Sequence, residues 1–304
     1  MTPERPDTAI FTTPDAAAFE LDTRPADVVV FGSHLLFGSV GLNAGLPVYA
    51  EAGLRCAAVP TVVLSNLPHY PSVQAIDVSA EWIGAALRDL AATGALRSAR
   101  VVAVGYLAAP EQAHAIADWY RSLDPGTRPP LVLDPTFGDG DVGFYTDPAV
   151  APALRETLLP LAAIVTPNLF ELAHLSSAPG RAAVPSSDDP ATVVDRARSL
   201  PTADDAAVVV TGTRSAPTRI DNVIVSALSV QTVTGREIPT GAKGLGDTFT
   251  AALVSAWSTG ADLADAVDVA ARRVRRAIDS RGDSSDVVGL GPVDETPRRA
   301  GARH

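Results

Sequence analysis

Residues 100–134, RVVAVGYLAAPEQAHAIADWYRSLDPGTRPPLVLD, contain one complete strand–helix–strand unit. The apolar run Arg100–Gly105 predicts a buried strand, and Leu131–Asp134 predicts a second one. Between them, Pro110–Leu123 has the spacing of an amphipathic helix. Continuous apolar strands separated by amphipathic helices are typical of a parallel sheet that is covered on both faces. The unit therefore predicts an α/β fold.

The same alternation extends in both directions from this unit. Around Arg219–Thr234 it changes to two short Val- and Ile-rich runs, which predict an antiparallel hairpin. The further predicted strands are Asp27–Phe31, Cys56–Leu64, Ala162–Thr166 and Ala206–Thr211. The further predicted helices are Gly41–Ala52, Ala80–Thr93, Ala149–Leu158, Asn168–Ser176, Pro190–Leu200, Gly244–Ser258 and Leu263–Asp279.

This pattern predicts one doubly wound, mostly parallel sheet with helices on both faces and an antiparallel edge. The predicted domain spans residues 26–280. Residues 1–25 and 281–304 are rich in Pro, Gly, Ser, Thr, Asp and Arg without a clear period, so we expect mobile extensions there.

Composition narrows the possible functions. The formal net charge of −11 argues against general nucleic-acid binding, because phosphate backbones recruit basic surfaces. The single cysteine, Cys56, excludes an internal disulfide and a multi-cysteine zinc site. No long apolar run and no secretory signal are recognisable, so we expect a cytoplasmic protein.

The glycine-rich segment Gly241–Phe249 (GAKGLGDTF) precedes a predicted apolar helix. Glycines at this position leave backbone N–H groups accessible to an anion, and the helix dipole favours negative charge there. Asp247 would lie in the first turn, where it could take a proton from a hydroxyl that attacks phosphorus. Spacing alone also allows Asp247 to be only an N-cap residue. Lys243 could contact a phosphate or be solvated.

Three other groups of polar residues follow predicted strands. Asp134, at the end of a buried strand, can reach Mg²⁺ directly or through water, although the Asp and Gly residues of this loop could also only serve turn geometry. Asn168 and Glu171 have the spacing of a capping box, although they could also face metal-bound waters. Ser33-His34 and Ser65–Tyr70 follow two neighbouring strands and could frame a small ring.

Taken in chain order, six segments resemble the ribokinase-like superfamily and, within it, the pyridoxal kinases. Matching spacing covers roughly Val28 to Ser280. The segments are Ser33–Asn43 (SHLLFGSVGLN), Val62–Asn66 (VVLSN), Gly105-Tyr106, Asp134–Asp139 (DPTFGD), Thr166–Glu171 (TPNLFE) and Gly244–Asp247 (GLGD).

The resemblance implies phosphoryl transfer from MgATP to the 5′-hydroxymethyl group of pyridoxal, pyridoxine or pyridoxamine. Asp247 would be the base, and Gly244, Leu245 and Gly246 would complete the catalytic segment. The amides of Leu245, Gly246 and Asp247 would stabilise the transferring phosphoryl group. Family members are commonly homodimers and often use a monovalent cation such as K⁺ in addition to Mg²⁺.

The resemblance also assigns the remaining candidate residues to three groups. The residues expected to line the pyridine ring are Ser33, Val40, Val62 and Tyr106; His69 is added only as the hypothesis given below. Those expected near ATP are Asp139, Tyr145, Thr166 and Thr211, and Lys243 is added from its place in the glycine-rich segment. Those expected to organise Mg²⁺, partly through water, are Asp134, Asn168 and Glu171.

The sequence departs from the family at the ring pocket. Family members usually continue Ser65-Asn66 with a His-Thr pair, whose threonine approaches the ring. Leu67 and Pro68 stand there, and Pro68 has no hydrogen-bond donor. His69, one residue further on, could replace the lost contact. Gly32 and Val63 also replace common glutamines, which leaves the preferred vitamer open.

Two other functions remain open on these residues. A hydroxymethylpyrimidine kinase of the same superfamily would use the same Asp247 and the same anion hole. A non-catalytic vitamer-binding protein would fit the Leu67-Pro68 substitution, although a binder does not need Asp247 and Asp134. A sugar kinase is disfavoured, because the chain lacks the Gly-Gly and Asn-rich segment that those enzymes carry near their N-terminus.

Overall fold

The structure, a computed structural model, describes residues 24–177 and 185–280. Residues 1–23 and 281–304, which make up nearly all of the two predicted extensions, lie outside the described residues. Within the described ranges, no helix is long and apolar enough to cross a membrane.

Eleven strands are assigned in the described ranges, and nine of them form one sheet. The strands are β1 (Val28–Leu35), β2 (Cys56–Leu64), β3 (Ala75–Asp77), β4 (Val101–Val104), β5 (Leu131–Leu133), β6 (Gly138–Asp139), β7 (Gly143–Phe144), β8 (Ala162–Val165), β9 (Ala207–Thr213), β10 (Arg219–Val225) and β11 (Val230–Arg236).

Eight α-helices in the same ranges connect or cover these strands, together with a 3₁₀ turn at Leu159–Leu161. The helices are α1 (Leu42–Glu51), α2 (Ala80–Ala92), α3 (Pro110–Ser122), α4 (Val150–Thr157), α5 (Leu169–Leu175), α6 (Pro190–Arg198), α7 (Leu245–Ser258) and α8 (Leu263–Ser280).

The large sheet has the order β11-β10-β9-β8-β5-β4-β1-β2-β3. Its six central strands, from β9 to β2, are parallel, and β10–β11 form the predicted antiparallel hairpin at one edge. The order reverses at β1, which is the arrangement of a doubly wound sheet. The fold prediction is confirmed.

The buried strands divide their side chains between two helix layers. On β4, Val102 and Val104 face the layer of α2–α6, whereas Val101 and Ala103 face α1, α7 and α8. All four residues are buried. Because both faces of the strand are covered, its sequence is continuously apolar rather than alternating.

Three local predictions need correction. The strand predicted to end at Phe31 continues to Leu35, so Ser33-His34 lies inside β1 rather than after it. A second antiparallel edge is formed by β3, whose three residues are all exposed and therefore carry no hydrophobic pattern. The expected loop after Asp134 contains the two-residue strands β6 and β7, which pair antiparallel.

Candidate active site

Asp247 lies in the first turn of α7, at the edge of the sheet where the parallel strands end. The helix begins after Gly244, whose φ of 81° is in the left-handed region that glycine adopts without strain. The first helical hydrogen bond runs from the Thr248 N–H to the Gly244 carbonyl. The N–H groups of Leu245, Gly246 and Asp247 therefore precede the helical ladder, and an anion can bind such groups.

The surroundings of the Asp247 carboxylate raise its pKa. Burial and the nearby Asp134 carboxylate raise its pKa to about 6, although hydrogen bonds from the Gly41 N–H and from its own backbone N–H oppose the shift. A carboxylate with a pKa close to neutral can accept a proton effectively and is still ionised at pH 7.

Asp134 follows β5 and is held by two threonine hydroxyls. Thr136 Oγ1 donates to Asp134 Oδ1 at 2.6 Å, and Thr250 Oγ1 donates to Oδ2 at 2.7 Å. The Thr250 hydroxyl also lies 3.2 Å from that of Thr166. A methyl group on Gly246 would lie 4.0 Å from Asp134 Oδ2, so the carboxylate faces the start of α7.

Asn168 and Glu171 form a complete capping box at the start of α5. Asn168 Oδ1 accepts the Glu171 N–H, and Glu171 Oε2 accepts the Asn168 N–H, both at 2.9 Å. Glu171 Oε1 accepts the Phe137 N–H at 3.2 Å. Asn168 Nδ2 donates to the Gly138 carbonyl. The capping role is therefore present, and it ties the loop after β5 to the loop after β8.

Glu171 is an unusual capping residue because it is 2% exposed. Burial and the Asp134 carboxylate raise the pKa of Glu171 well above the ordinary range. Hydrogen bonds from backbone N–H groups to the Glu171 carboxylate partly oppose this shift. Two buried carboxylates near each other are unfavourable unless a cation or a shared proton compensates them. A cation or a shared proton near Asp134 and Glu171 would therefore be stabilised by the two carboxylates.

The β6–β7 hairpin brings further candidate residues to the same edge. Asp139 Oδ1 accepts the N–H groups of Asp141 and Val142, and its Oδ2 lies 3.8 Å from Lys243 Nζ. The ring of Tyr145 stacks on that of Tyr106 with centroids 6.5 Å apart. Residues that the resemblance assigned to ATP and to the ring therefore meet across this hairpin.

Thr211 lies within β9, beside the loop that follows β8. Its N–H donates to the Pro167 carbonyl, and Thr211 forms a single parallel bridge with Asn168. The half-exposed Lys243 precedes the anion-binding turn. The structure therefore brings the candidate ATP residues into one neighbourhood with Asp134 and Asn168.

The candidate ring residues lie within or beside the neighbouring strands β1, β2 and β4. Ser33 of β1 is paired with Val62 of β2, and both are buried. Tyr106 follows β4, and its carbonyl accepts the Thr61 hydroxyl at 2.7 Å. Val40 belongs to the loop between β1 and α1.

The residues that depart from the family behave differently. Leu67 is buried and lies against Gly38, so it packs into the loop between β1 and α1. Pro68 and His69 are exposed, and the His69 ring contacts that of Tyr70 in its own loop. The role of His69 as a replacement for the lost ring contact stays a hypothesis.

Three residues that contact Asp134 or Asp247 were not identified as candidates from the sequence: Thr136, Thr250 and Gly41. Thr250 is three residues after Asp247, which places both on one face of α7, and this spacing could have identified it. Thr136 has a φ of 33°, which is strained for a β-branched residue, while its hydroxyl holds Asp134. Gly41 is recognisable only from its contact with Asp247.

A small cavity of about 30 Å³ lies beneath Asp247, between the sheet and the layer of α1 and α7. Asp134, Asp247, Thr250 and Tyr49 are among its lining residues. This volume is sufficient for an ordered water molecule, and the lining supplies polar partners for it.

The sequence of the chain is similar to those of known kinases. The model of the phosphomethylpyrimidine kinase family matches residues 37–294. A pyridoxine/pyridoxal/pyridoxamine kinase of Bordetella bronchiseptica is 39% identical over 260 residues, which cover 84% of this chain and 89% of that protein.

Solved structures show the same fold. The pyridoxal kinase of Entamoeba histolytica superposes with a TM-score of 0.79 at 19% identity, covering 88% of this chain and 93% of that one. The pyridoxal kinase of Leishmania donovani in complex with ADP and pyridoxamine gives a TM-score of 0.73 at 24% identity, covering 83% and 86%.

Proposed function

The chain matches the model of the phosphomethylpyrimidine kinase family and belongs to the pyridoxal kinases. On that premise we propose that it phosphorylates vitamin B6. The reaction transfers the γ-phosphoryl group of ATP to the 5′-hydroxymethyl group of pyridoxal, pyridoxine or pyridoxamine. One observation carries the proposal: the Asp247 carboxylate, with its raised pKa, lies at the N-terminus of α7 beside Asp134.

In the proposed mechanism, Asp247 accepts the proton of the substrate hydroxyl as its oxygen attacks the γ-phosphorus. The bond from the γ-phosphorus to the bridging oxygen breaks, and ADP leaves. The N–H groups of Leu245, Gly246 and Asp247 stabilise the charge on the transferring phosphoryl group. Thr250 and Thr136 orient Asp134, while the Tyr106–Tyr145 stack helps to exclude water.

The residues around Asp134 fit a magnesium ion bound largely through water. Within residues 24–177 and 185–280, no three His, Cys, Asp or Glu residues form a metal cage. Mg²⁺ in kinases is typically held by one or two carboxylates, phosphate oxygens and waters. Asp134, with Asn168 and Glu171 behind it, provides oxygen donors for that arrangement. The ion would neutralise charge on the phosphates.

The first test is ADP release with MgATP and a panel of acceptors: pyridoxal, pyridoxine, pyridoxamine and hydroxymethylpyrimidine. We expect turnover with at least one pyridoxine-type compound. Turnover with the pyrimidine alone would instead identify the chain as the related hydroxymethylpyrimidine kinase. Absence of turnover with every acceptor would favour a vitamer-binding protein.

The acid limb of the pH profile provides a second prediction. A base must be ionised, so kcat/KM should be level above the pKa of Asp247 and should fall as the pH drops through about 6. The measurement is kcat/KM for the acceptor between pH 4.5 and 8.5, with folding checked at each pH. A profile that stays level down to pH 4.5 would contradict the raised pKa.

Substitution of Glu171 by glutamine tests its contribution to metal binding. Both carboxylate oxygens of Glu171 accept backbone N–H groups. Glutamine replaces one of these oxygens with an amide NH₂ group, which cannot accept a hydrogen bond, so this set of hydrogen bonds is partly lost. The half-saturating Mg²⁺ concentration should rise about fivefold or more, with a smaller change in the KM of the acceptor. Glu111→Gln, in the exposed first turn of α3, is the matched control. An unchanged Mg²⁺ titration would exclude the role.

We also propose homodimerisation and activation by a monovalent cation such as K⁺, on the strength of the family resemblance. Light scattering coupled to gel filtration tests the first, and replacement of K⁺ by tetramethylammonium tests the second. The cytoplasmic location stays a prediction.

A further inference from the structure

The loop Leu36–Gly41, between β1 and α1, contacts the catalytic turn directly. Gly41 and Asp247 line the same small cavity, and the Gly41 N–H lies close enough to the Asp247 carboxylate to lower its pKa. The Ser39 carbonyl lies so close to Gly244 that a methyl group there would overlap it. The loop Leu36–Gly41 therefore contacts both the proposed base, Asp247, and Gly244 at the start of the anion hole.

The same loop also borders the proposed ring pocket. Gly41 has a φ of 57°, and a methyl group there would overlap Ser33, which is one proposed ring contact. Val40, the residue before Gly41, is another. A ring that touches Ser33 and Val40 would therefore also stiffen the backbone that orients Asp247.

Asn43, in the first turn of α1, holds this loop closed. Its Oδ1 accepts the Leu35 N–H at 3.0 Å, and its Nδ2 donates to the Leu35 carbonyl at 2.8 Å. One side chain thus binds both backbone groups of the residue that precedes the loop.

Burial of the loop's own large side chains does not provide an alternative restraint. Leu36 is 74% exposed and Phe37 is 67% exposed. Their backbone N–H groups still pair with the carbonyls of Leu64 and Ser65, but Gly38–Gly41 lies beyond that pairing. Two glycines in this remainder give it a high conformational entropy when it is released. The carbonyls of Val40 and Gly41 accept N–H groups from the first turn of α1, so the part of the loop that reaches Asp247 moves with that end of the helix. The Asn43 side chain fixes the same end of α1 to Leu35 and thereby joins the two ends of the loop.

We propose that Asn43 is a positioning residue for phosphoryl transfer, acting through the loop Leu36–Gly41 to orient Asp247. This inference rests on the proposed function, because it assigns Asn43 a task in that reaction. Asn43 itself contacts neither the reacting hydroxyl nor the phosphates in this scheme. Its loss should therefore impair transfer more than it impairs ATP binding.

The test compares Asn43→Ala with the wild-type protein. We expect kcat for the vitamer to fall about tenfold or more, since small displacements of a catalytic group are costly. The KM for MgATP should stay within about twofold, because the ATP residues are on other loops. The ratio of vitamer-independent to vitamer-dependent ADP release should rise. Asn43→Asp retains the acceptor for the Leu35 N–H and should fall between the two, and it replaces Asn43→Ala if that variant does not fold.

A matched control separates positioning from loss of stability. Asp262→Ala removes the carboxylate that accepts the Asp265 N–H at the start of α8, beyond the far end of α7. It should lower the unfolding temperature without changing kcat or the ADP-release ratio.

Hydrogen exchange provides a readout that does not require turnover. In Asn43→Ala, the amide of Gly41 should exchange at least about tenfold faster than in the wild type, whereas amides in the core of β4 should be unchanged. If the wild-type protein has no kinase activity but Gly41 still exchanges faster in Asn43→Ala, the loop restraint is retained and only the proposed function is rejected. If turnover and Gly41 exchange in Asn43→Ala both stay within twofold of the wild type, the inference is wrong.

Discussion

Asp247→Asn is expected to lower kcat by at least about a hundredfold while leaving MgATP binding largely intact. Asparagine preserves the size and the N-terminal helix position of the side chain but cannot accept the proton of the substrate hydroxyl. ATP binding should persist, because most of the residues that we assign to ATP lie on other segments, in the β6–β7 hairpin, after β8 and in β9. The measurement is steady-state turnover together with nucleotide affinity from calorimetry.

The N-cap interpretation of Asp247 is wrong, because Gly244 occupies the N-cap of α7 and Asp247 is the third residue of the helix. The same variant still separates a base from a purely structural residue. Asparagine keeps the size and one oxygen acceptor of the side chain, so a purely structural role predicts little change in turnover. Asp262→Asn, where the side chain accepts an N–H in the first turn of α8, is the matched control and should retain full activity. Near wild-type turnover in Asp247→Asn would remove Asp247 from the mechanism.

Stability measurements should show that the activity loss in Asp247→Asn is not due to unfolding. The folded-state pKa of Asp247 is raised, so the favourable contribution of this group is present below its unfolded pKa of about 4 and is lost as pH rises through about 6. At pH 8 the ionised carboxylate is disfavoured in the folded protein. A neutral asparagine should therefore unfold at the same temperature as the wild type or higher.

Gly244→Ala is expected to reduce kcat/KM by about a hundredfold or more, which is the scale for loss of an oxyanion-type donor. Gly244 has a φ of 81°, and an added methyl group would overlap the Ser39 carbonyl. The start of α7 must then shift, which moves the N–H groups of Leu245 and Gly246 away from the phosphoryl group. The measurement is kcat/KM for the vitamer, with circular dichroism to confirm folding.

Gly241→Ala is the control for this substitution, because it lies three residues earlier in the same segment. An added methyl group at Gly241 meets no atom within 4 Å, and its φ is outside the left-handed region. Its activity should remain within about twofold of the wild type. Equal activity of the two variants would show that the conformation of Gly244 does not set the anion hole.

Much of the site could be predicted locally from the sequence. The Asn168–Glu171 capping box is a spacing of three residues, and its hydrogen bonds are present in the structure. The turn before α7 is likewise recognisable from its glycines. Both are local features, because the atoms that form them belong to neighbouring residues along the chain.

Other parts of the site had no local signal. The hydrogen bond from Thr250 to Asp134 joins residues 116 positions apart. The raised pKa of Asp247 arises from burial and from Asp134, and Asp134 comes from a different strand. The contact of Gly41 with Asp247 depends on how α1 packs against α7. These interactions depend on distances between residues that are far apart in the sequence.

The amino-acid sequence therefore determined the order and type of the main elements, because hydrophobic periodicity and helix capping act over a few residues. It did not reveal β3, whose three exposed residues pair with β2 but have no hydrophobic pattern. The tertiary structure alone placed the carboxylates, threonine hydroxyls and backbone N–H groups around one point. It also set their charge states, because pKa values respond to desolvation and neighbouring charge in the assembled fold.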